Sequence, residues 1–494
     1  MFIEAILDHA ANRPADIAML DQTRQMTFRE LALGSNLMAG HVENVSANPG
    51  RLGLLIPQSC AFAVAFFGTW WAGSVPVPLN YLLSPPELLH VLRDAGIETV
   101  FTIRHFQPLA DAIAAAGIRV VFMEDLSFKK IPWKRPVPPH KDEDLALLVY
   151  TSGTSAQPKG VMLSFGNLEN NSRDSVAHAR FATQMVFLGM LPMFHTLALT
   201  ATMLAPVMLG CKIVYLPRFS PPAIFQIIQE HQVEVMIAVP TMYAALLDSK
   251  TALGGASLEP VKYAVSGGEA LPLALAERFE KRFGVALLEG FGLTETSAAN
   301  VLSLPWAKKP GSVGQPLPHV DLRVVDDAGN PVPADTEGEL LIRSPTVMLG
   351  YYNKLAETQA VFTSDRFFRT GDLARLDADG FLYITGRKKD LINMAGEKIA
   401  PREIEDVLMR HPAVAAAAVI AMPDPQRGEA PAAFVQFKPD ANPAPTEQEL
   451  RNFLRGHIAG YKVPRSIYTV TAMPLSPTGK IVKRLLKPPA EAAP

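Results

Sequence analysis

The chain has 494 residues, of which 48% are hydrophobic and 19% are charged, and its formal net charge is -2. This composition permits a large buried core and excludes an intrinsically disordered chain. The balanced charge leaves no excess of basic side chains to neutralise a nucleic-acid backbone, so we expect no nucleic-acid partner. The only cysteines, Cys60 and Cys211, exclude a disulfide framework and a cysteine-based metal site.

The amino terminus and the most apolar segment bear on localisation. Glu4 and Asp8 interrupt the first apolar stretch and no lysine or arginine precedes Arg13, which does not fit a secretory signal. Prolines interrupt the apolar segment 52–79, so we predict buried strand and helix there rather than a membrane span. We therefore expect a cytoplasmic protein with no transmembrane segment. The sequence leaves a homo-oligomer open.

Short apolar runs alternate with amphipathic stretches through the first three quarters of the chain. The runs 145–150 and 233–239 are rich in aliphatic residues and are typical of buried strands. Segment 318–343 differs, because turn residues separate short strand-like runs and predict a β-rich subdomain. The fold class predicted for residues 1–386 is therefore a large α/β domain that includes a β-rich subdomain.

A second, smaller domain is predicted for residues 387–494, after the charged sequence GRKKD. Pro401 begins a helix, and strands are predicted at 414–421 and 432–437. Thr446 and Glu449 have the spacing of a capping box ahead of another amphipathic helix. About a hundred residues with their own helices and strands predict a small α+β domain.

The segment 151–160, TSGTSAQPKG, packs hydroxyls, glycines and one lysine into a loop after a predicted strand. Glycines let the backbone curl so that NH groups point at an anion, and Lys159 adds positive charge. The loop lacks the Walker pattern. By its composition alone it is more typical of an ordinary solvated loop.

Five further motifs occur in order along the chain. They are SGGEALP at 266–272, EGFGLTET at 289–296, RTGDLA at 369–374, GRKKDLI at 386–392 and SPTGKIVKRLL at 476–486. Together with the loop at 151–160, they resemble the core motifs of the adenylate-forming enzymes, a family that includes acyl-CoA synthetases, luciferases and peptide-synthetase adenylation domains. Each motif alone is weak, but their ordered joint occurrence from the first helix to Leu486 is specific.

The resemblance implies a nucleotide site that binds ATP with Mg²⁺. Thr294 resembles the hydroxyl that contacts the α-phosphate, and Glu295 resembles the Mg²⁺ ligand, a role that suits a hard carboxylate oxygen. Asp372 resembles the acceptor of both ribose hydroxyls, and Arg387 resembles an arginine that touches the nucleotide. The remaining positions implied to contact the nucleotide or its phosphates are Thr151, Ser152, Gly153, Thr154, Ser155, Lys159, Gly268, Glu269, Ala270, Gly290, Phe291 and Gly292.

The resemblance also implies that the small domain moves. Lys480 matches the family's essential lysine, whose ammonium offsets the repulsion between the attacking carboxylate and the phosphate. Without the motif, Lys480 would be taken for a solvated surface lysine. Lys389 falls at the hinge position, where rotation would withdraw Lys480 after adenylation and admit the thiol.

Some residues depart from the family pattern. Thr154, Ser155 and Ala156 stand where Thr-Thr-Gly is usual, and Ala156 lacks the conformational freedom of glycine. Phe165 replaces a frequent histidine, and Lys389 occupies a position that more often holds aspartate. The Thr-Ser-Ala departure keeps open a catalytically impaired protein that binds nucleotide without turnover.

The acid site is predicted to be apolar. His195 is the only ionisable residue between Leu191 and Gly210, whereas amino-acid adenylation domains place an aspartate in this region. Phe194 and His195 resemble the aromatic and histidine pair of acyl-CoA synthetases, although His195 would otherwise be read as a core histidine. The predicted pocket residues are Met193, Phe194, Ala238, Val239, Pro240 and Tyr243.

Gly396 and the segment 460–465 resemble the surface of coenzyme A ligases that faces pantetheine. The predicted function is therefore AMP-forming activation of a carboxylic acid, most naturally a medium-chain or long-chain fatty acid, followed by transfer to coenzyme A. Lys480, Thr294, Glu295 and His195 are the predicted catalytic residues. A stand-alone adenylation enzyme that loads an acyl or aryl group onto a carrier protein is the alternative.

Overall fold

The structure, a computed structural model, describes residues 2–45, 50–127, 135–151, 158–395, 397–424, 426–439, 441–475 and 481–488. The helices are α1 Phe2–Asn12, α2 Phe28–Glu43, α3 Cys60–Trp71, α4 Pro85–Asp94, α5 Gln107–Ala115, α6 Phe165–Ala179, α7 Thr196–Leu199, α8 Ala205–Leu209, α9 Pro221–His231, α10 Pro240–Leu247, α11 Lys250–Leu253, α12 Leu273–Phe283, α13 Leu355–Ala360, α14 Pro401–Leu408 and α15 Glu447–Arg455.

The strands of the first three quarters are β1 Ile17–Leu20, β2 Gln25–Thr27, β3 Arg51–Leu55, β4 Val75–Pro78, β5 Thr99–Thr102, β6 Arg119–Phe122, β7 Leu145–Thr151, β8 Lys159–Ser164, β9 Val186–Gly189, β10 Lys212–Tyr215, β11 Val235–Ala238, β12 Tyr263–Ser266, β13 Leu287–Phe291, β14 Val301–Leu302, β15 Gln315–Pro316, β16 Asp321–Val325, β17 Gly338–Arg343, β18 Gly350–Tyr351, β19 Phe368–Leu376 and β20 Leu382–Arg387. The remaining strands are β21 Ile392–Met394, β22 Glu397–Ile399, β23 Val414–Asp424, β24 Gly428–Phe437 and β25 Ser466–Thr469.

A nine-stranded sheet with the order β15-β14-β13-β12-β11-β9-β10-β1-β2 forms the centre of the large unit. Its strands from β13 through β1 are parallel, and β9, β11 and β12 are buried at every residue. Continuous apolar runs suit such strands, because helices cover both faces of a parallel sheet. The carboxyl ends of β9, β11, β12 and β13 therefore lie along one edge.

The apolar segment 52–79 is confirmed as buried strand and helix rather than a span. It forms β3, α3 and β4 in a second parallel sheet with the order β4-β3-β5-β6. Ser59 caps α3 by accepting a hydrogen bond from the Phe62 amide at 3.2 Å, and α3 is buried almost throughout. Among the described residues, no helix is both long and apolar enough to cross a bilayer.

Two antiparallel sheets complete the large unit. One has the order β18-β8-β7, and the other has the order β16-β17-β19-β20. The second sheet contains the β-rich subdomain predicted at 318–343 and continues beyond it to Arg387. The sequence GFLYITGRKKD predicts a strand that corresponds to β20. Strand β19 was missed because it coincides with the glycine-bearing motif RTGDLA, whose turn residues obscure the strand pattern.

The small unit has a sheet of its own with the order β22-β21-β24-β23, and β25 lies parallel to β24. Helices α14 and α15 bury Ile404, Leu408, Leu450 and Leu454 against this sheet. The capping box at Thr446 is present, because the Thr446 amide donates to Glu449 Oε2 at 2.7 Å. These observations confirm the predicted fold class of a large α/β domain with a β-rich part and a small α+β domain.

Candidate active site

The predicted phosphate loop lies between two paired antiparallel strands, β7 and β8. Thr151 at the end of β7 and Lys159 at the start of β8 are directly paired in the register. The ammonium of Lys159 lies 2.5 Å from Glu357 Oε2 on α13 and 5.3 Å from the centroid of the Tyr351 ring. Ser152, Gly153, Thr154 and Ser155 lie outside the described residues.

Thr294 and Glu295 lie in a 3₁₀ turn that follows β13. The Tyr351 hydroxyl donates to Glu295 Oε1 at 2.9 Å. Because the Tyr351 ring also faces Lys159, this tyrosine joins the predicted metal ligand to the predicted phosphate lysine. Sequence reasoning missed Tyr351, because its place beside Lys159 comes from the pairing of β18 with β8, which no local sequence pattern shows.

The two glycine-bearing segments predicted to contact adenine leave neighbouring strands at the same edge. Gly268, Glu269 and Ala270 follow β12, whereas Gly290 and Phe291 end β13. Gly268 has a φ of +81°, a conformation that favours glycine. At Gly292, a Cβ atom would lie 1.5 Å from the Ala298 carbonyl oxygen, so no larger residue fits there.

Glu289, at the same edge, is a buried carboxyl group that the sequence reasoning did not single out. It is 6% exposed and accepts a hydrogen bond from the Leu271 amide at 2.9 Å. Burial raises its pKa to about 7, and this amide and the more distant Arg402 guanidinium offset only part of the effect. The group therefore titrates near neutral pH, directly beside the adenine segments.

Asp372 and Arg387, predicted for the ribose, are paired across β19 and β20. Arg387 Nε donates to Asp372 Oδ1 at 2.9 Å. Asp372 Oδ2 is buried with no hydrogen-bond partner among the described residues. Burial raises the pKa of Asp372, and Arg387 counteracts part of that rise. One carboxylate oxygen is thus anchored while the other keeps its capacity to accept hydrogen bonds.

The predicted acid-binding residues divide into two groups. Met193, Phe194 and Val239 are buried, and Phe194 packs edge-on against Tyr81 with ring centroids 5.0 Å apart. His195 directly precedes α7, and its ring centroid lies 4.6 Å from that of Phe194. These residues follow β9 and β11, so they lie at the same edge as the adenine segments.

Tyr243 belongs to the second group. Its side chain is fully buried, and its hydroxyl lies 3.0 Å from the carbonyl oxygens of both Met236 and Val265. Tyr243 and Ala238 pack in a different apolar cluster from Met193 and Val239. Tyr243 therefore braces β11 against β12, and Pro240 begins α10 between the two groups.

Phe165, which departs from the family pattern, is the first residue of α6. Its ring stacks on His140 at 4.1 Å between centroids and packs against Trp70 at 5.2 Å. The ring thus forms part of the interface between α3 and α6. At the position where the family often has a histidine, this chain therefore has an aromatic side chain that packs against other rings.

The small unit presents a basic cavity of about 200 Å³. Tyr461 and Gly460 of the predicted pantetheine surface line it together with Arg427, Arg451, Arg455 and Arg465. Guanidinium groups suit phosphate oxygens because they present paired donors in one plane. Lys389 lies in the 3₁₀ turn between the two units, whereas Gly396 and Lys480 lie outside the described residues.

The comparisons with known proteins agree with this architecture. Residues 6–352 match the AMP-binding enzyme family, and residues 403–480 match the AMP-binding enzyme C-terminal domain. The chain belongs to the AMP-binding enzyme family. It is an AMP-forming acid–CoA ligase.

Similar proteins differ in the acid that they activate. The chain is 32% identical to a long-chain-fatty-acid–CoA ligase of Bacillus subtilis, over 98% of this chain and 94% of the relative. It is 35% identical to a feruloyl-CoA synthase of an Amycolatopsis species, over 93% of this chain and 92% of that protein. The structure of ATP-bound MatB from Rhodopseudomonas palustris matches with a TM-score of 0.90 and 28% identity, covering 98% and 97% of the two chains.

Proposed function

We propose that this ligase activates a medium-chain or long-chain fatty acid. The observation that carries the proposal is the apolar group Met193, Phe194 and Val239 at the carboxyl ends of β9 and β11, beside the nucleotide segments. The likeness to the long-chain-fatty-acid–CoA ligase of Bacillus subtilis also supports it. Each buried methylene contributes about 0.8 kcal/mol, so catalytic efficiency should rise with chain length until the pocket ends.

The nucleotide roles form part of the same proposal. ATP lies along the edge of the central sheet, with its ribose on Asp372, its adenine between segments 268–270 and 290–292, and its phosphates toward Lys159 and Thr294. Glu295 suits Mg²⁺, because that cation accepts one or two carboxylates and completes its shell with phosphate oxygens and water. Bound there, Mg²⁺ would neutralise charge on the departing pyrophosphate.

The proposed mechanism uses two orientations of a small domain that comprises residues 387–494. In the first, Lys480 lies between the acid carboxylate and the α-phosphate and stabilises the charge that develops there. Rotation at Lys389 then withdraws Lys480 and brings Gly396 and the basic cavity toward the adenylate. His195 borders the reacting carboxyl group, and the arginines of the cavity hold the phosphates of coenzyme A.

The experiment is a panel of acids from octanoate to palmitate, with ferulate and malonate, assayed for AMP release with and without coenzyme A. We expect coenzyme A-dependent AMP release that increases with alkyl chain length. Ferulate is the second candidate, since a feruloyl-CoA synthase is 35% identical to this chain. Faster turnover of ferulate or malonate than of every fatty acid would contradict the fatty-acid proposal and leave acid activation intact.

A further inference from the structure

The phosphate lysine has an acidic partner that none of the motifs contains. Glu357, near the start of α13, reaches the Lys159 ammonium, and its side chain is 42% exposed against 24% for Lys159. The hydrogen bond from Lys159 lowers the pKa of Glu357, so the carboxylate is ionised at neutral pH. Lys354 lies further from it, at 3.5 Å.

The backbone that carries Glu357 is tied to the strand beside Lys159. Thr358 Oγ1 accepts a hydrogen bond from the Tyr351 amide and donates one to the Lys354 carbonyl, each at 2.9 Å. Tyr351 lies in β18, which pairs with the strand that Lys159 begins. Helix α13 is therefore held against β18, and the acidic side chain is placed next to the ammonium.

We propose that Glu357 is a positioning residue that competes with phosphate for Lys159. In the absence of polyphosphate it holds the ammonium over the Tyr351 ring. When pyrophosphate is present, the carboxylate repels it and recaptures the ammonium, which favours product release. The inference rests on the proposed function only in assigning Lys159 to the phosphates.

The size of the expected change in pyrophosphate affinity follows from the solvent exposure of the Lys159–Glu357 pair. Solvent screens partly exposed charges, so removal of the carboxylate should tighten pyrophosphate binding by only about 3-fold to 10-fold. The gain should shrink as the salt concentration rises. A merely structural role for Glu357 would weaken pyrophosphate binding or leave it unchanged, and would not respond to salt in this way.

The test is the dissociation constant of inorganic pyrophosphate, with Mg²⁺ present, for the full-length wild type, Glu357→Gln, Lys159→Gln and the double variant. We expect tighter binding in Glu357→Gln and no further change when the same substitution is added to Lys159→Gln. Glu280→Gln is the matched control, because Glu280 pairs with Lys308 at 2.7 Å on another surface.

Unchanged or weaker pyrophosphate binding in Glu357→Gln would overturn the proposal. An equal gain in pyrophosphate affinity when Glu357→Gln is added to Lys159→Gln would overturn it as well, because the effect would then not depend on the ammonium. Failure of the proposed function is separate, since it would appear as a lack of acid-dependent AMP release in the wild type.

Discussion

The two ends of the proposed nucleotide site neutralise charge in opposite ways. At the proposed ribose end, the acid Asp372 is 2% exposed and is anchored by Arg387 through one oxygen. At the proposed phosphate end, the cation Lys159 pairs with Glu357, whose side chain is 42% exposed. In the proposed site the buried carboxylate of Asp372 accepts hydrogen bonds from neutral hydroxyls, whereas the partly exposed Lys159–Glu357 pair must open before the ammonium meets an anion.

The charges near Lys159 are already partly balanced within the large unit. Lys159 is partly neutralised by Glu357, and the Glu295 carboxylate adds negative charge nearby. In the proposed mechanism a further cation, Lys480 of the small domain, acts at the reacting phosphate, as the family resemblance implies. The effects expected for substitutions differ between the ribose end and the phosphate end of the proposed site.

The largest effect is expected for Lys480→Ala. Loss of a cation that stabilises the transition state should lower adenylate formation by about 1000-fold or more. Thioester formation from preformed acyl-adenylate should be largely retained, because no phosphate repulsion has to be overcome at that step. Pyrophosphate exchange and thioester synthesis, measured separately, check this. Equal losses in the two steps would contradict the two-orientation mechanism.

A smaller loss is expected for Asp372→Ala at the ribose end. Removal of hydrogen bonds to a charged acceptor should lower kcat/KM for ATP by roughly 10-fold to 150-fold. Asp321→Ala is the matched control, because its exposed carboxylate pairs with Arg343 across two strands of the same sheet. Similar kinetics for the two variants would remove Asp372 from the ribose site.

Lys389→Pro should separate the two half-reactions. Proline fixes φ and resists the proposed hinge rotation, so thioester formation should fall about 10-fold to 100-fold while adenylation is largely kept. Lys389→Ala, which keeps the backbone free, should have little effect on either step. A greater loss of adenylation than of thioester formation in the proline variant would contradict the hinge assignment.

Glu289→Gln tests a carboxyl group that, unlike Asp372, has no ion pair within 4 Å among the described residues. Its pKa rises from 4.5 to about 7 in the folded state. The folded state favours the protonated form of Glu289. Below pH 4.5 the carboxyl group therefore contributes its full stabilisation to the folded state, and this contribution is lost as the pH rises to about 7. Above that pH, Glu289→Gln should exceed the wild type in free energy of unfolding by up to about 3 kcal/mol.

Thermal unfolding of both proteins between pH 5 and pH 8 checks the Glu289 prediction. The difference between them should grow in favour of the variant as pH rises. A constant difference across this range would show that Glu289 stays ionised in the folded protein.

The smallest effect is expected for Tyr351→Phe at the phosphate end. The ring that faces Lys159 remains, and only the hydrogen bond to Glu295 is lost, so adenylation should fall about 3-fold to 10-fold. The Mg²⁺ dependence of adenylation is the measurement, with Tyr352→Phe as the neighbouring control. A loss above 100-fold would mean that the hydroxyl contacts the reacting groups directly.

Much of the fold could be predicted from local patterns. The apolar runs near 145–150 and 233–239 are strands, Pro401 begins α14, and Thr446 caps α15. Strand β24 begins at Gly428 rather than at the predicted Ala432, because its pairing with β23 continues from Phe437 to Gly428. Pairing with a partner strand depends on residues that a local window does not contain.

The order of the motifs determined the family and the reaction class from the sequence alone. Within each motif, the residue types that the chemistry requires lie close together along the chain. Tertiary structure decided which side chains meet. Tyr351 and Glu295 are 56 residues apart but joined by a hydrogen bond, Glu357 lies outside every motif, and Tyr243 braces two strands within the core. Such contacts depend on strand order and helix packing, which periodicity within one segment does not encode.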